Sequence, residues 1–200
     1  MALLLPDNLL VMNPPKCAST WVRQAVRQAF CGRVLEVGYW HATLDDILAP
    51  NIVHVKTIIS FVRHPAHWYP YAWMYYKRTG RYPRQPHEPK VEHDTYNQFL
   101  ENCLRANPNG YLSHWLNRYL HCRSGRTADA ICKTESVADD LKVTLKRMRI
   151  PHDPSAFDRD PINTADGQER PVADPELWEW LMRSERPLIN RYYADAGLHA

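Results

Sequence analysis

The chain predicts an α/β fold, a three-layer domain in which a short central parallel sheet is flanked by helices, with residues 1–200 forming one domain. Two observations carry this. Apolar, β-rich runs of strand length near 9–12, 34–37, 55–62 and 129–133 alternate with helical stretches near 20–30, 65–77, 94–105, 111–121 and 136–148. Nothing in the sequence reads as an internal repeat or as a linker that would set off a second domain.

The elements follow in order. Leu9-Leu10-Val11-Met12 reads as a short buried strand and Thr20 to Phe30 as a helix, with Asn13-Pro14-Pro15-Lys16-Cys17-Ala18-Ser19-Thr20-Trp21 spanning the turn between them. A strand, a tight loop and a helix N-terminus make an anion site, because the first helical turn leaves N–H groups unpaired and pointing outward. Lys16 adds a positive charge there, and Ser19 and Thr20 add hydroxyls. The glycine-bearing nucleotide-kinase motif G-x-x-x-x-G-K-S/T does not fit this run. The apolar segment Val34 to Val37 leads into Gly38-Tyr39-Trp40-His41-Ala42-Thr43-Leu44, which opens an amphipathic stretch from Leu44 to Leu48.

Val55 to Val62 is β-branched and aromatic, and it ends in Arg63-His64-Pro65. Pro65 suits the first turn of a helix, where its missing N–H costs nothing. Arg63 therefore stands at the carboxyl end of a parallel strand, the edge at which open α/β sheets bind ligands. Gly110 to Leu116 opens a helix with Leu112, Trp115, Leu116 and Tyr119 on one face, the pattern of a core helix. Ala130 to Ser136 forms a strand-to-helix step whose acidic residues favour the helix N-terminus through its dipole. Pro151 to Pro171 reads as an irregular crossing loop. Asp94 and Asp174-Pro175 are helix starts, and the tail helix from Pro175 to about Tyr193 turns Leu177, Trp180, Leu181 and Leu188 inward.

The run Pro15 to Trp21 resembles the 5′-phosphosulfate loop of the sulfotransferases, written P-K-S/A/C-G/A-S/T-S/T-W, and the likeness extends in order to about residue 165. It is to a bacterial or viral member similar to the heparan-sulfate and Golgi-type enzymes, and it implies a P-loop-like domain. In that family the lysine holds the 5′-phosphate and sulfate of 3′-phosphoadenosine 5′-phosphosulfate (PAPS), so the resemblance assigns Pro15, Lys16, Cys17, Ala18, Ser19, Thr20 and Trp21 to the cradle. Ala18 stands where glycine is usual, which implies a backbone that does not need positive φ. The strand ending in Arg63 resembles the family's 3′-phosphate segment, a strand, then V-R-N/D-P, then a serine eight residues after the arginine. Arg63 would fork onto the 3′-phosphate. Tyr71 holds the serine's place with a hydroxyl of longer reach.

His41 matches a family histidine that lies about twenty residues before V-R-N/D-P and serves as general base. Its alternative role, capping the helix that begins near Thr43, stays open. Gly110-Tyr111-Leu112-Ser113-His114-Trp115-Leu116 resembles a helix that passes near the nucleotide, which brings in Ser113. Asn163-Thr164 is a faint match to a family Asn-x-Ser. The resemblance implies in-line sulfuryl transfer from PAPS to a hydroxyl or amine acceptor, releasing 3′,5′-adenosine bisphosphate without a metal. His41 would take the acceptor's proton, and Lys16 and the helix N-terminus would stabilise the developing charge.

Bulk properties set limits. The formal net charge is +3, which fits an anionic co-substrate and does not call for nucleic acid. Five cysteines without a C-x-x-C pair, and no apolar stretch of membrane-spanning length, predict a soluble, cytoplasmic protein. The Golgi members' N-terminal anchor is not expected here. His64-x-x-His67 lacks evident further ligands for a metal. Lys77, Arg78, Arg81, Arg84 and Lys90 surround a Pro-rich loop that reads as solvated, or else as a rim for an acidic acceptor. Trp40, Trp68, Tyr69, Tyr71, Trp73, Tyr75 and Tyr76 suit a small-molecule or carbohydrate acceptor without choosing one, and the sequence is silent on oligomeric state. Two other readings remain: a non-catalytic nucleotide-binding protein of the same fold, and a cysteine phosphatase built on Cys17 and Arg23 as C-x5-R.

Overall fold

The computed structural model describes residues 1–48, 55–80, 95–160 and 169–194. They form two compact units, Met1–Arg63 with Leu116–Thr164, and His64–Trp115 with Ala165–Ala200.

The first unit holds the sheet: β1 (Ala2–Leu5), β2 (Leu9–Val11), β3 (Leu35–Val37), β4 (Thr57–Val62) and β5 (Ala130–Lys133), in the order β3-β1-β2-β4-β5. Its helices are α1 (Ser19–Ala29), α2 (Leu44–Leu48) and α6 (Val137–Arg147). The strands β2, β4 and β5 pair in parallel, whereas β1 is antiparallel to both of its neighbours, β2 and β3. The expected all-parallel sheet is therefore mixed, with β1 alone reversed. The reversal comes from turn chemistry: Pro6-Asp7-Asn8 makes one tight 3-10 turn with Asp7 at φ 60 and Asn8 at φ 59, and Asp and Asn tolerate that left-handed region.

Successive strand residues alternate between two covered faces. On one, Ala2, Leu10, Met12, Val37 and Ile58 pack with Ala42, Leu44 and Ile47 around α2 and with Tyr119 and Cys122. The intervening Leu3, Leu9, Val11 and Ile59 point to the other face and are just as buried. A sheet buried on both sides makes the apolar runs near-continuous, which is why they show little period-two alternation. The helix α1 buries Trp21, Val22, Ala25, Val26 and Ala29, and Trp21 meets Phe157 at 6.3 Å between ring centroids. Strand β4 begins at Thr57, two residues later than the expected Val55.

The second unit contains α3 (Pro65–Thr79), α4 (Tyr96–Ala106), the start of α5 (Tyr111–Leu120), α7 (Pro175–Ser184) and α8 (Arg186–Tyr192). Thr95 caps α4 through a reciprocal box with Gln98, and the expected cap Asp94 lies outside the described residues. Asp174 caps α7 and also accepts backbone placement from α4, its N–H donating to Asn97 Oδ1 at 3.0 Å. The single tail helix expected from Pro175 is broken at Glu185, because Pro187 cannot supply the N–H that a continuous helix needs. Among the described residues no helix is long and apolar enough to cross a membrane.

The break at Glu185 places a carboxylate in the interior. Glu185 is fully buried and accepts from Tyr69 Oη (2.5 Å), the amides of Leu112 (2.8 Å) and Ser113 (2.9 Å), and Ser113 Oγ (2.5 Å). It therefore caps the start of α5 from a distance, supplying the orphan N–H groups with acceptors and the positive end of the helix dipole with an anion. Gly110 lets it approach: at φ 103, a Cβ there would stand 2.8 Å from Ser184 O and 3.0 Å from Glu185 Oε2. Burial first, then the Glu185 charge, push the Tyr69 phenol well above its ordinary value, so it stays a donor.

Candidate functional site

Loop residues 12–18 leave the carboxyl end of β2 and enter α1. Asn13, Pro14 and Pro15 are buried, and Asn13 Nδ2 donates to Met1 O at 3.1 Å. The loop closes with the Cys17 N–H donating to Pro14 O at 3.3 Å, and α1 begins with the Val22 N–H donating to Ala18 O at 3.0 Å. The amides of Ser19, Thr20 and Trp21 precede that first helical bond, as helix geometry dictates, and form the N-terminal donor set.

Lys16 sits at φ 61 and Ala18 at φ 54. Two left-handed residues so close together turn the loop sharply into α1. The expectation that Ala18 avoids positive φ is overturned. Ala18 takes the conformation glycine would take, with no side-chain cap on α1, and it holds about 1–2 kcal/mol of backbone strain.

Three further strand ends bring residues to the same carboxyl edge. Arg63, directly after β4, donates from Nη1 to Lys16 O at 3.0 Å. Thr134, directly after β5, donates from Oγ1 to Val62 O at 2.8 Å. The β3–α2 turn carries His41, near enough to Lys16 for their charges to interact.

Cys17 is fully buried, and burial pushes its thiol up to about 12, with Arg63 and the Thr134 hydrogen bond acting in the opposite direction and Glu135 with it. The C-x5-R reading requires a thiolate, and burial works against one at this position. Arg23 is also engaged elsewhere, paired with Glu36 of β3 alongside Arg27 (2.7 Å) and lying 5.5 Å from the centroid of the Trp40 ring.

His41 has φ 63, and its backbone carbonyl accepts from Tyr119 Oη at 3.0 Å. It does not cap α2. Thr43 does, its Oγ1 accepting from the Asp46 N–H at 3.4 Å while its own N–H donates back to Asp46 Oδ2 at 2.7 Å. The imidazole meets Trp40 edge-on at 5.4 Å and makes no hydrogen bond among the described residues. Burial, then the chain's amino group and Lys16, lower its pKa to about 4. The ring is thus neutral at pH 7, with a lone pair available but weakly basic. Beside it, Tyr39 and Trp40 are 53% and 60% exposed, an uncommon amount of aromatic surface to leave in solvent.

Lys16, Ser19, Thr20, Arg63 and His41 are thus all placed at one edge of one sheet in the first unit. Tyr71, half-buried on α3, and Ser113 belong to the second unit. Both the hydroxyl and the amide of Ser113 are committed to Glu185. Arg81, Arg84 and Lys90, and Asn163-Thr164, lie outside the described residues, while Lys77 and Arg78 end α3, exposed, where cations suit the helix C-terminus. His64 caps α3, its Nδ1 accepting from Ala66 N at 3.2 Å, and the described residues contain no cluster of three metal-ligating groups.

Thr134 was missed as a site residue although its signal was legible: a hydroxyl directly after a strand, at the sheet's carboxyl edge. Tyr119 and Glu185 carried no such signal, since each acts through distant partners. The chain matches no family model, no curated protein and no solved structure.

Proposed function

We propose that this protein is a PAPS-dependent sulfotransferase with a P-loop-like cradle. The observation that carries the reading is the convergence of Lys16, Arg63, His41 and the N-terminus of α1 at the carboxyl edge of the sheet. Lys16 and the amides of Ser19 to Trp21 would hold the 5′-phosphosulfate, and Arg63 stands beside them with a guanidinium suited to a phosphate. In the transfer, an acceptor oxygen forms a bond to sulfur as the bond from sulfur to the 5′-phosphate oxygen breaks. The electron pair of that bond stays on the phosphate, giving 3′,5′-adenosine bisphosphate. His41 takes the acceptor's proton, and its neutral form at pH 7 is the form that can do so. Lys16 and the helix N-terminus oppose the charge that grows on the bridging oxygen. The negative charge of the nucleotide offsets Lys16 and raises the basicity of His41 toward working pH.

A second reading, a nucleotide-binding protein of the same fold without transfer, draws on His41 itself: a pKa near 4 makes a weak base in the free protein. Thermal unfolding with 3′,5′-adenosine bisphosphate, beside ATP and inorganic phosphate, tests the shared premise. The bisphosphate at 100 times its Kd stabilises the wild type by about 2.7 kcal/mol, a shift of several degrees, and Lys16→Ala loses the shift. No shift with the bisphosphate, or an equal shift in the variant, defeats the proposal. Sulfate transfer from PAPS to a panel of sugars and phenols, lost in His41→Ala, separates the enzyme from the binding protein.

A further inference from the structure

Residues 14–17 make a tight turn, closed by the Cys17 N–H donating to Pro14 O at 3.3 Å, longer than the usual range for such a bond. Pro15 takes the turn's second position and Lys16 its third, at φ 61, a place where a type II turn calls for glycine. Ala18, two residues on, is left-handed as well, at φ 54. Two such residues so close together persist only if their surroundings over-determine them. One restraint comes from another strand. Strand β4 lies between β2 and β5 and pairs with both, with Val62 opposite Lys133, so its carboxyl end is held from two sides. The ladder to the β2 side runs one residue beyond that strand, where the Met12 N–H donates to Ile59 O at 2.8 Å. Arg63 follows β4 directly, and its Nη1 donates to Lys16 O at 3.0 Å. The Lys16–Cys17 peptide is therefore gripped at both ends: Pro14 O takes its N–H, and Arg63 holds its carbonyl.

We propose that Arg63 is a positioning residue for the anion loop, its guanidinium holding the Lys16–Cys17 peptide and so keeping Lys16 and the start of α1 in their binding conformation. The ligand it serves, the 5′ anion of an adenosine nucleotide, rests on the sulfotransferase reading; the grip on the peptide does not. Arginine suits the task, because a charged donor on a carbonyl makes a stronger hydrogen bond than a neutral one and the planar guanidinium loses little freedom in making it. This role is separate from any contact with a 3′-phosphate, since a guanidinium carries five N–H donors and the Lys16 carbonyl takes one of them. The consequence is specific: loss of Arg63 weakens even those ligands that have no 3′-phosphate.

Arg63→Met keeps an unbranched stem and removes every donor. Amide hydrogen exchange on the unliganded protein reads the grip directly. The Cys17 and Val22 amides, bonded to Pro14 O and Ala18 O, bracket the strained segment. In the variant they exchange about tenfold faster or more, while the amides of α4 stay at wild-type rates. Titration calorimetry with adenosine 5′-phosphosulfate, which has no 3′-phosphate, reads the consequence. In about 0.3 M salt, where long-range attraction is screened, its Kd rises about tenfold in Arg63→Met. Unchanged exchange at Cys17 and Val22 overturns the proposal. Equal acceleration of the α4 amides overturns it too, since Arg63 is then an ordinary fold residue. A Kd that rises for 3′,5′-adenosine bisphosphate and not for the phosphosulfate also overturns it, because Arg63 then serves the 3′-phosphate alone. Should Arg63→Met not fold, the same change is made in Ala18→Gly, whose loop carries less strain, and is read against that parent. A wild type that binds neither nucleotide defeats the sulfotransferase reading, and the exchange comparison then decides the grip alone.

Discussion

Replacing Ala18 with glycine inverts the usual cost of a glycine at a helix start. Ala18 is held at φ 54, where an L side chain costs about 1–2 kcal/mol and glycine nothing. Against that gain, glycine widens the unfolded ensemble and costs about 0.4–1 kcal/mol. At the middle of each range the difference favours the variant by about 0.8 kcal/mol. Ala18 makes no side-chain cap on α1, so no hydrogen bond is lost with its methyl. For a chain of this size that gain raises Tm by about 1–4 °C. The assay is thermal and urea unfolding of wild type, Ala18→Gly and Ala18→Val side by side. Valine, β-branched and poorly suited to positive φ, moves Tm the other way. A glycine variant less stable than wild type by 1 kcal/mol or more would refute the reasoning. The methyl would then be worth more in packing than the backbone costs, and the strain assigned to this loop would be wrong.

Other perturbations read other parts of the structure. The His41 pKa lies near 4 in the folded chain and near its ordinary 6.5 when unfolded, so the unfolded state binds the extra proton between those values and stability falls as pH drops through that window. The full loss is about 3 kcal/mol, and urea unfolding from pH 7 to 4.5 shows a shallower slope in His41→Gln than in wild type. Native-state alkylation followed by mass spectrometry labels exposed Cys31 and spares buried Cys17, and Cys17→Ser retains bisphosphate binding; early labelling of Cys17 would restore the phosphatase reading. Glu185→Ala strands the Tyr69 hydroxyl proton and both donors of Ser113 and leaves the Leu112 amide only its longer bond to Tyr69 Oη (3.3 Å), at a cost of about 3 kcal/mol or more by urea unfolding, and a loss under 1 kcal/mol would mean water replaces the carboxylate.

What the sequence discloses here depends on whether a residue's role is local. The step from β2 through the loop to α1 could be read because an apolar run, a Pro-Pro-Lys turn and an amphipathic helix are each local signals. Arg63 could be placed because Pro65 fixes where the strand stops. The reversed β1 was hidden: Ala-Leu-Leu-Leu has no period to distinguish it, and only Pro6-Asp7-Asn8 marked a turn. Ala18 misled because residue type speaks for intrinsic preference, and the restraints on Lys16 and Cys17 override it. Glu185 stands between two helical segments and reads as a surface acid, since its donors come from residues far away in the chain. The break that releases it is legible in the sequence, since Pro187 supplies no N–H to a continuous helix.

The reversed strand β1 acts as a gauge. Because it lies between β2 and β3, the strand that delivers His41 stands two inter-strand intervals from the strand that delivers Lys16, about 10 Å at the sheet. The two residues approach each other only across the beginning of β1, over Ala2, which pairs with Val37, and Leu3, which pairs with Val11. Neither residue needs to touch a ligand to matter. A larger side chain at buried Ala2 would widen or tilt that interval, and the separation of His41 from Lys16 would change while both side chains remained in place.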